Sequence, residues 1–343
     1  MECQIELTNE KKIESNEETI KSAERQKIVN YVRKWGSETT DAVLDPSCLY
    51  FMTPGIEGLI GYRIEGKCAV AFGDPVASSD NKGPLALAFQ QYCRSKGFET
   101  IYVVVSKEFA EWATNNICRV SLEFGEKLVL DPQNNPKNNT GTHGSLVRRK
   151  VRRTQKEGTV ALEYTSDDPA IESAIERVGQ EWLKKREGPQ IHISHVRLFE
   201  DRAGKRWFYA QKDNKIVGIV LLNELQAKNG WLLNHLMITA DAPKGTPELL
   251  VMTALEAIEK EGCHFVTFGP APLENLQEMH GLDFVSAWLA RMGFKLARRF
   301  FKFDGYKTFW GKFNPQSEQS FLLFSRLNIG TIRSLLQAMN ASF

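Results

Sequence analysis

The chain has 343 residues, 42% of them hydrophobic and 25% charged, with a formal net charge of +2. That length holds two domains with a sizeable core, and the near-neutral charge excludes a global field for nucleic acid, so any anion-binding surface must be local. Six scattered cysteines (3, 48, 68, 93, 118 and 263) without a CxxC pair argue against a disulfide framework, residues 1–27 lack the apolar run of a signal peptide, and no segment reaches the roughly 20 apolar residues that span a bilayer, so a soluble, cytoplasmic protein is expected.

Residues 1–21 are polar, charged and without apolar periodicity, and read as a flexible arm. A first domain is expected over 22–135. It opens with a helix over 22–35 that sets Ile28, Val29, Val32 and Trp35 on one face. Strands over 48–53, 57–65 and 67–73 follow, the last two joined at Glu65-Gly66, and then a helix over 84–96 stopped by Gly97. A strand over 100–105, a helix from Lys107 and two further strands near 119–130 complete this half. Residues 136–158 are assigned to a linker and a basic helix. The Asn-, Gly- and Pro-rich loop 131–144 leads into SLVRRKVRRTQKEG (145–158), with Ser145 as N-cap and Gly158 as stop.

The second domain, 159–318, repeats the order. A helix from Pro169, strands over 206–212, 215–224 and 230–239 with a turn at Asp213-Asn214, a helix over 247–261 stopped by Gly262, and a strand ending at Gly269-Pro270 are expected. RSKGFETIYVVV (94–105) and EKEGCHFVTFG (259–269) each close a helix with glycine and enter an apolar strand, a sign of internal duplication. Tyr306 to Phe313 reads as a final strand, and 319–343 as an amphipathic C-terminal helix that docks on the domain or lies in a membrane interface.

Several residues carry candidate chemistry. The turn holding Pro243, Gly245 and Thr246 ends an apolar strand and opens a helix. Its unpaired N–H groups and the helix dipole suit a phosphate or carbonyl oxygen, although Thr246 as cap and Glu248 in the first turn also suit a plain helix start. Gly73-Asp74-Pro75 is the corresponding turn of the first half and reads as scaffold. Arg148, Arg149, Lys150, Arg152, Arg153 and Lys156 repel one another in one short helix, so an anionic partner such as tRNA phosphates or lipid headgroups is expected against Arg148, Arg149, Arg152 and Arg153. Asn234 and His235 are neighbours in the site strand, so strict alternation would turn only one of them to a substrate. His192 and His195 lack a third ligand at matching spacing, and no metal is assigned.

Helix, antiparallel hairpin, glycine turn, helix and strand is an order that resembles the GNAT acyltransferase core. That resemblance implies an α+β (α/β layered) protein with two tandem GNAT-like domains, each a mixed, mostly antiparallel sheet flanked by helices. Seven segments in order resemble more narrowly the soluble catalytic region of the phosphatidylglycerol lysyltransferases, the multiple peptide resistance factor family. They are YVRKWGSETTDAVLDPSCLYFM (31–52), AFGDPV (71–76), FGEKLVLDP (124–132), the basic helix, DAPKGTPELL (241–250), FGPAPL (268–273) and YKTFWGKFNP (306–315). The resemblance implies a transferase without the family's membrane-spanning portion. It would move an amino acid from aminoacyl-tRNA to a lipid hydroxyl at the membrane surface, with aminoacyl-tRNA as co-substrate and no cofactor. It implies Asn234, His235 and Lys312 as catalytic candidates and Gly245, Thr246, Glu248, Gly269 and Tyr306 on the donor side. Asn234 and Met237 stand where the lysyltransferases carry an Asp and an Arg, so the amino acid and the acceptor stay open. Three other readings remain: an acyl-CoA N-acyltransferase, for which the usual run of glycines in the pyrophosphate loop is missing, a non-catalytic tRNA- or membrane-binding module, and aminoacyl transfer to cell-wall precursors.

Overall fold

A computed structural model describes residues 22–185, 198–273, 275–301 and 304–339. In the first half, helix α1 (22–35) and helix α2 (Thr40–Leu44) precede strands β1 (Leu49–Thr53), β2 (Ile56–Glu65), β3 (Cys68–Phe72) and β4 (Val76–Ala77). Helix α3 (Ser79–Ser95), strand β5 (Glu99–Val105), helix α4 (Lys107–Asn116) and strand β6 (Val120–Leu130) follow. The basic helix α5 (Gly141–Lys156) leads to β7 (Val160–Tyr164), α6 (Pro169–Lys185), β8 (Lys205–Lys212), β9 (Lys215–Leu225), β10 (Gly230–Ile238), α7 (Thr246–Lys260) and β11 (Val266–Pro272). The chain ends with β12 (Met279–His280), α8 (Phe284–Phe301), α9 (Asp304–Trp310), β13 (Gln316–Phe324) and α10 (Ile329–Ala338). His192 and His195 lie outside the described residues.

Local chemistry accounts for most of these boundaries. Asp213 and Asn214 adopt φ of 47° and 60°, the left-handed pair that a two-residue hairpin needs to match strand twist. Gly97 and Gly262 both take φ of 75° just past a helix. In each case the next residue donates back to the carbonyl five positions earlier, Phe98 to Cys93 at 2.9 Å and Cys263 to Ile258 at 3.1 Å. The duplication seen in the sequence is therefore the same glycine helix stop used twice.

The strands form one mixed sheet in the order β1-β2-β3-β5-β13-β6-β11-β10-β9-β8-β7, with β12 beside β6 and β4 beside β2. Alternation along the strands separates the cores. In the first half Cys68, Val70 and Phe72 face the cluster under α1 and α10, while Ala69 and Ala71 face the one under α3 and α4. In the second half Phe208, Ala210, Val220 and Leu222 pack under α5 and α7, while Trp207, Tyr209, Ile219 and Leu221 pack under α6.

The sequence-based boundaries need several corrections. The region near 119–130 holds one long strand, β6 (Val120–Leu130), rather than two, because burial is nearly continuous along it. The stretch 160–164 is a further edge strand, consistent with the alternation of VALEY. Residues 304–310 are helical and 311–313 a 3-10 turn, not a strand, because this winding brings Trp310 and Phe313 together against Phe268, with Phe309 packed on both. The segment 319–343 is not one helix. Phe321 to Phe324 are buried in β13, which pairs with β5 on one side and β6 on the other. The chain thus leaves the second half before residue 318 and completes the first half's sheet. The helical remainder, α10, docks on the first half through buried Leu335 and Ala338, and Arg63 Nη1 donates to the Ala338 carbonyl at 2.8 Å.

Candidate active site

The two halves differ most where their parallel strands meet. In the first half β3 and β5 stay paired from Cys68↔Glu99 to Phe72↔Val103, and the Gly73 N–H continues the ladder to the Val103 carbonyl at 2.8 Å. Asp74 there accepts from the Ser106 N–H at 2.9 Å, the Ser106 hydroxyl at 2.8 Å and the Lys82 ammonium at 2.9 Å. Its carboxylate is consumed in ordering the turn and the start of α4, as expected of a scaffold.

In the second half β10 and β11 pair only at Trp231↔Val266 and Leu232↔Thr267. Beyond that point they part, and each carries a β-bulge at the place of parting. On β10, Leu233 faces Leu222 and Leu236 faces Val220, so Asn234 and His235 together oppose Leu221. The one-of-two alternation expected for this pair is broken by the bulge, and both side chains are half-buried. On β11, Thr267 faces Val129 and Gly269 faces Leu128, which leaves Phe268 as the extra residue. Gly269 supplies the φ of 85° required there, and its N–H donates to Thr267 Oγ1 at 3.1 Å. The strand therefore runs on through Pro272 rather than ending at Gly269-Pro270.

Beside this gap α7 begins. Its first turn is buried, and Glu248 is only 1% exposed. Glu248 Oε1 accepts from Lys150 Nζ of α5 at 2.7 Å and from Lys312 Nζ of the 3-10 turn at 2.6 Å. The Lys312 ammonium also sits 4.3 Å from the centre of the Phe309 ring. A single carboxylate thus ties α7, α5 and the 311–313 turn together. Glu248 Oε2 and Thr246 Oγ1 are buried without a hydrogen-bond partner among the described residues. Gly245 has a packing reason to be glycine, since a Cβ there would lie 2.4 Å from Thr154 Oγ1 and 2.7 Å from the Lys150 carbonyl. The side of the turn where a side chain would stand is filled by α5. Trp310 stacks on Phe268 at 4.3 Å, which holds α9 against the bulge of β11.

Helix α5 divides its residues between two faces. Val147, Val151 and Thr154 are buried, and Lys150, one helical position from Val151, points inward to Glu248. Burial contributes roughly 1.5–3 kcal/mol per valine, enough to pin the helix against its own charge repulsion. Arg148 differs from its expected role. Its Nη1 donates to the Lys137 and Asn139 carbonyls, so it fastens the preceding loop. Arg149, Arg152, Arg153 and Lys156 remain exposed at i, i+3, i+4 and i+7, one basic stripe in which Arg153 pairs with Glu157 at 2.8 Å.

Of the sequence candidates, Glu248 and Lys312 are in direct contact, and Gly245, Thr246 and Gly269 stand on the elements that border the gap. Tyr306 falls on α9, and its side chain lies outside the described residues. Lys150, grouped by sequence with the other cations of its helix, turns inward instead. The signal for its inward role is its place in the 147, 150, 151, 154 face.

The comparisons agree with this architecture. The family of phosphatidylglycerol lysyltransferase C-terminal domains matches residues 30–324. The phosphatidylglycerol lysyltransferase of Staphylococcus epidermidis is 21% identical over 296 residues, covering 82% of this chain and 33% of that protein. The chain therefore spans about a third of the length of the curated relatives it matches. Among solved structures, a C-terminal domain from Agrobacterium fabrum named for a lysylphosphatidylglycerol synthetase superposes with a TM-score of 0.76 at 19% identity, over 93% of this chain and 95% of that one. L-PGS from Bacillus licheniformis gives 0.74 at 18% identity, over 91% and 94%. The two structures share the fold, and the family match covers most of the sequence. The chain belongs to the family of phosphatidylglycerol lysyltransferase C-terminal domains.

Proposed function

We propose that the chain transfers an aminoacyl group from aminoacyl-tRNA to a lipid hydroxyl at the parting of β10 and β11. The observation that carries this reading is that the second half opens its parallel pair after two residue pairs while the first half keeps its pair closed, with an exposed basic helix beside the open one. Family membership supports lipid aminoacylation in general.

Aminoacyl-tRNA is an activated ester, so the step is an ester exchange. The lipid oxygen bonds to the aminoacyl carbonyl carbon, the bond to the terminal ribose oxygen breaks, and the lipid hydroxyl's proton ends on that ribose oxygen. Positioning and stabilisation of the carbonyl oxygen are the main demands. In this reading, N–H groups along the opened edge of β10 and the Asn234 amide receive the carbonyl oxygen, and His235 carries the proton. Lys312, held by Glu248 and Phe309, contributes a fixed positive charge. Arg149, Arg152 and Arg153 take the phosphates of the tRNA acceptor end. The α5 backbone that fills the side of the Gly245 turn weighs against a CoA pyrophosphate in that place.

The test is incubation of the chain with total charged tRNA and total lipid extract, followed by mass spectrometry of the lipids. A new aminoacyl-lipid whose formation is lost when the tRNA is deacylated supports the reading and names both substrates. Lipids unchanged by active, folded protein overturn it.

A further inference from the structure

Helix α8 lies outside the candidate active site, between β12 and α9. Among its described residues it presents four large apolar side chains to solvent: Phe284, Val285, Trp288 and Met292 are 84, 64, 54 and 50% exposed. At i, i+1, i+4 and i+8 they form one stripe. The opposite side is already used, since Ala290 and Phe294 pack on the first-half core. Asp283 caps the helix, its Oδ1 accepting from the Ser286 N–H at 2.8 Å, so the helix is anchored at its start.

The charges decide what kind of partner fits. Arg291 and Lys295 are exposed, and by helical spacing Lys295 falls within the apolar stripe while Arg291 runs along its edge. Between Phe284 and Phe301 the sequence contains no acidic residue. Protein–protein interfaces keep charge, and lysine in particular, out of the centre of the patch. A bilayer interface accepts this pattern, because apolar side chains enter the acyl boundary, tryptophan sits at the headgroups, and long cationic side chains reach anionic phosphates beside them. The helix is also no candidate for crossing a membrane. Among the described residues no helix is long and apolar enough to do so.

We propose that α8 is the surface by which this chain settles onto an anionic lipid bilayer, with the helix lying in the headgroup plane. The proposal deepens the lipid-acceptor reading above, but vesicle binding needs no donor and no turnover, so the two fail separately.

The experiment is flotation of the full chain with vesicles of phosphatidylcholine alone and of phosphatidylcholine mixed with phosphatidylglycerol. The native chain is expected to float with the anionic vesicles and to lose most of that binding at high salt. The Trp288→Ser/Met292→Ser variant should bind them about tenfold more weakly. The Arg291→Glu/Lys295→Glu variant should lose the preference for anionic over neutral vesicles. All four positions are exposed, so unchanged thermal melts should accompany both results. The proposal is overturned if the native chain ignores anionic vesicles, or if both folded variants float as it does. It is equally overturned if neither protein floats and light scattering shows a native dimer that Trp288→Ser/Met292→Ser converts to a monomer, since the stripe would then be a chain-to-chain interface.

Discussion

Glu248 shows how one buried side chain can hold three elements. Two lysines from different parts of the chain converge on the same carboxylate oxygen, and the carboxylate is almost wholly shielded from water. Removing it strands Lys312, which has little solvent access, whereas Lys150 is a third exposed and can rehydrate. Glu248→Ala is therefore expected to cost about 3 kcal/mol in urea unfolding. A loss below 1 kcal/mol would mean that both ammoniums relax into water and that the carboxylate is no node. Glu38 is the opposite case. Burial raises its pKa, with Asp74 and Glu318 adding to the effect and Lys127 opposing it. Its charged form is thus disfavoured in the fold. The stability linked to its proton is fully present below the unfolded carboxylate value and is lost as pH rises through the folded one. Glu38→Gln should accordingly gain melting temperature relative to the native chain as pH is raised from 4.5 to 7.5. A constant difference between the two proteins across that range would refute the assignment.

At the scale of elements, α5 separates tasks that its composition alone blends. Its apolar face and Lys150 bind the protein, Arg148 fastens the loop before it, and Arg149, Arg152, Arg153 and Lys156 face outward. If the outer stripe contacts tRNA phosphates, Arg149→Ala/Arg152→Ala/Arg153→Ala should reduce the slope of log affinity against log salt by roughly two to three, each lost contact removing 0.7–0.9. Arg148→Ala should leave that slope unchanged. Filter binding of aminoacyl-tRNA over a range of salt concentrations measures both, and equal slopes for the triple variant and the native chain would remove the helix from donor binding. The same division shows what was readable. The six cations of one helix are legible in the sequence, but which of them face outward depends on the position of α7.

The whole molecule is one continuous sheet assembled by exchange. Strand β13, from the end of the chain, lies between β5 and β6, and β6, from the first half, pairs with β11 of the second. Polar ties add to this link between the halves: Arg25 meets Asp201 at 2.6 Å, and Arg33 Nε donates to the Ala203 carbonyl at 2.8 Å. Neither half can complete its sheet alone. A chain ending at Asn314 would lose β13, expose the edges of β5 and β6, and uncover Val103, Tyr102 and Leu122 beside them. It should fail to show a cooperative thermal transition, and a sharp melt near that of the full chain would refute the exchanged assembly.

Many of the local elements of both halves, and their duplication, were legible in the sequence. Apolar periodicity, the paired left-handed Asp213 and Asn214 and the glycine stops at 97 and 262 act through near neighbours and leave their mark in any window that contains them. Seven ordered segments also carried the family. Which parallel pair opens, where β13 goes, which arginines face outward and what surrounds Glu248 are settled by the folded chain. Those outcomes rest on contacts between residues far apart in the chain. The stretch 316–324 has the apolar content of either a helix or a strand, and it is a strand because β5 and β6 leave a vacancy whose backbone groups only an extended segment can satisfy.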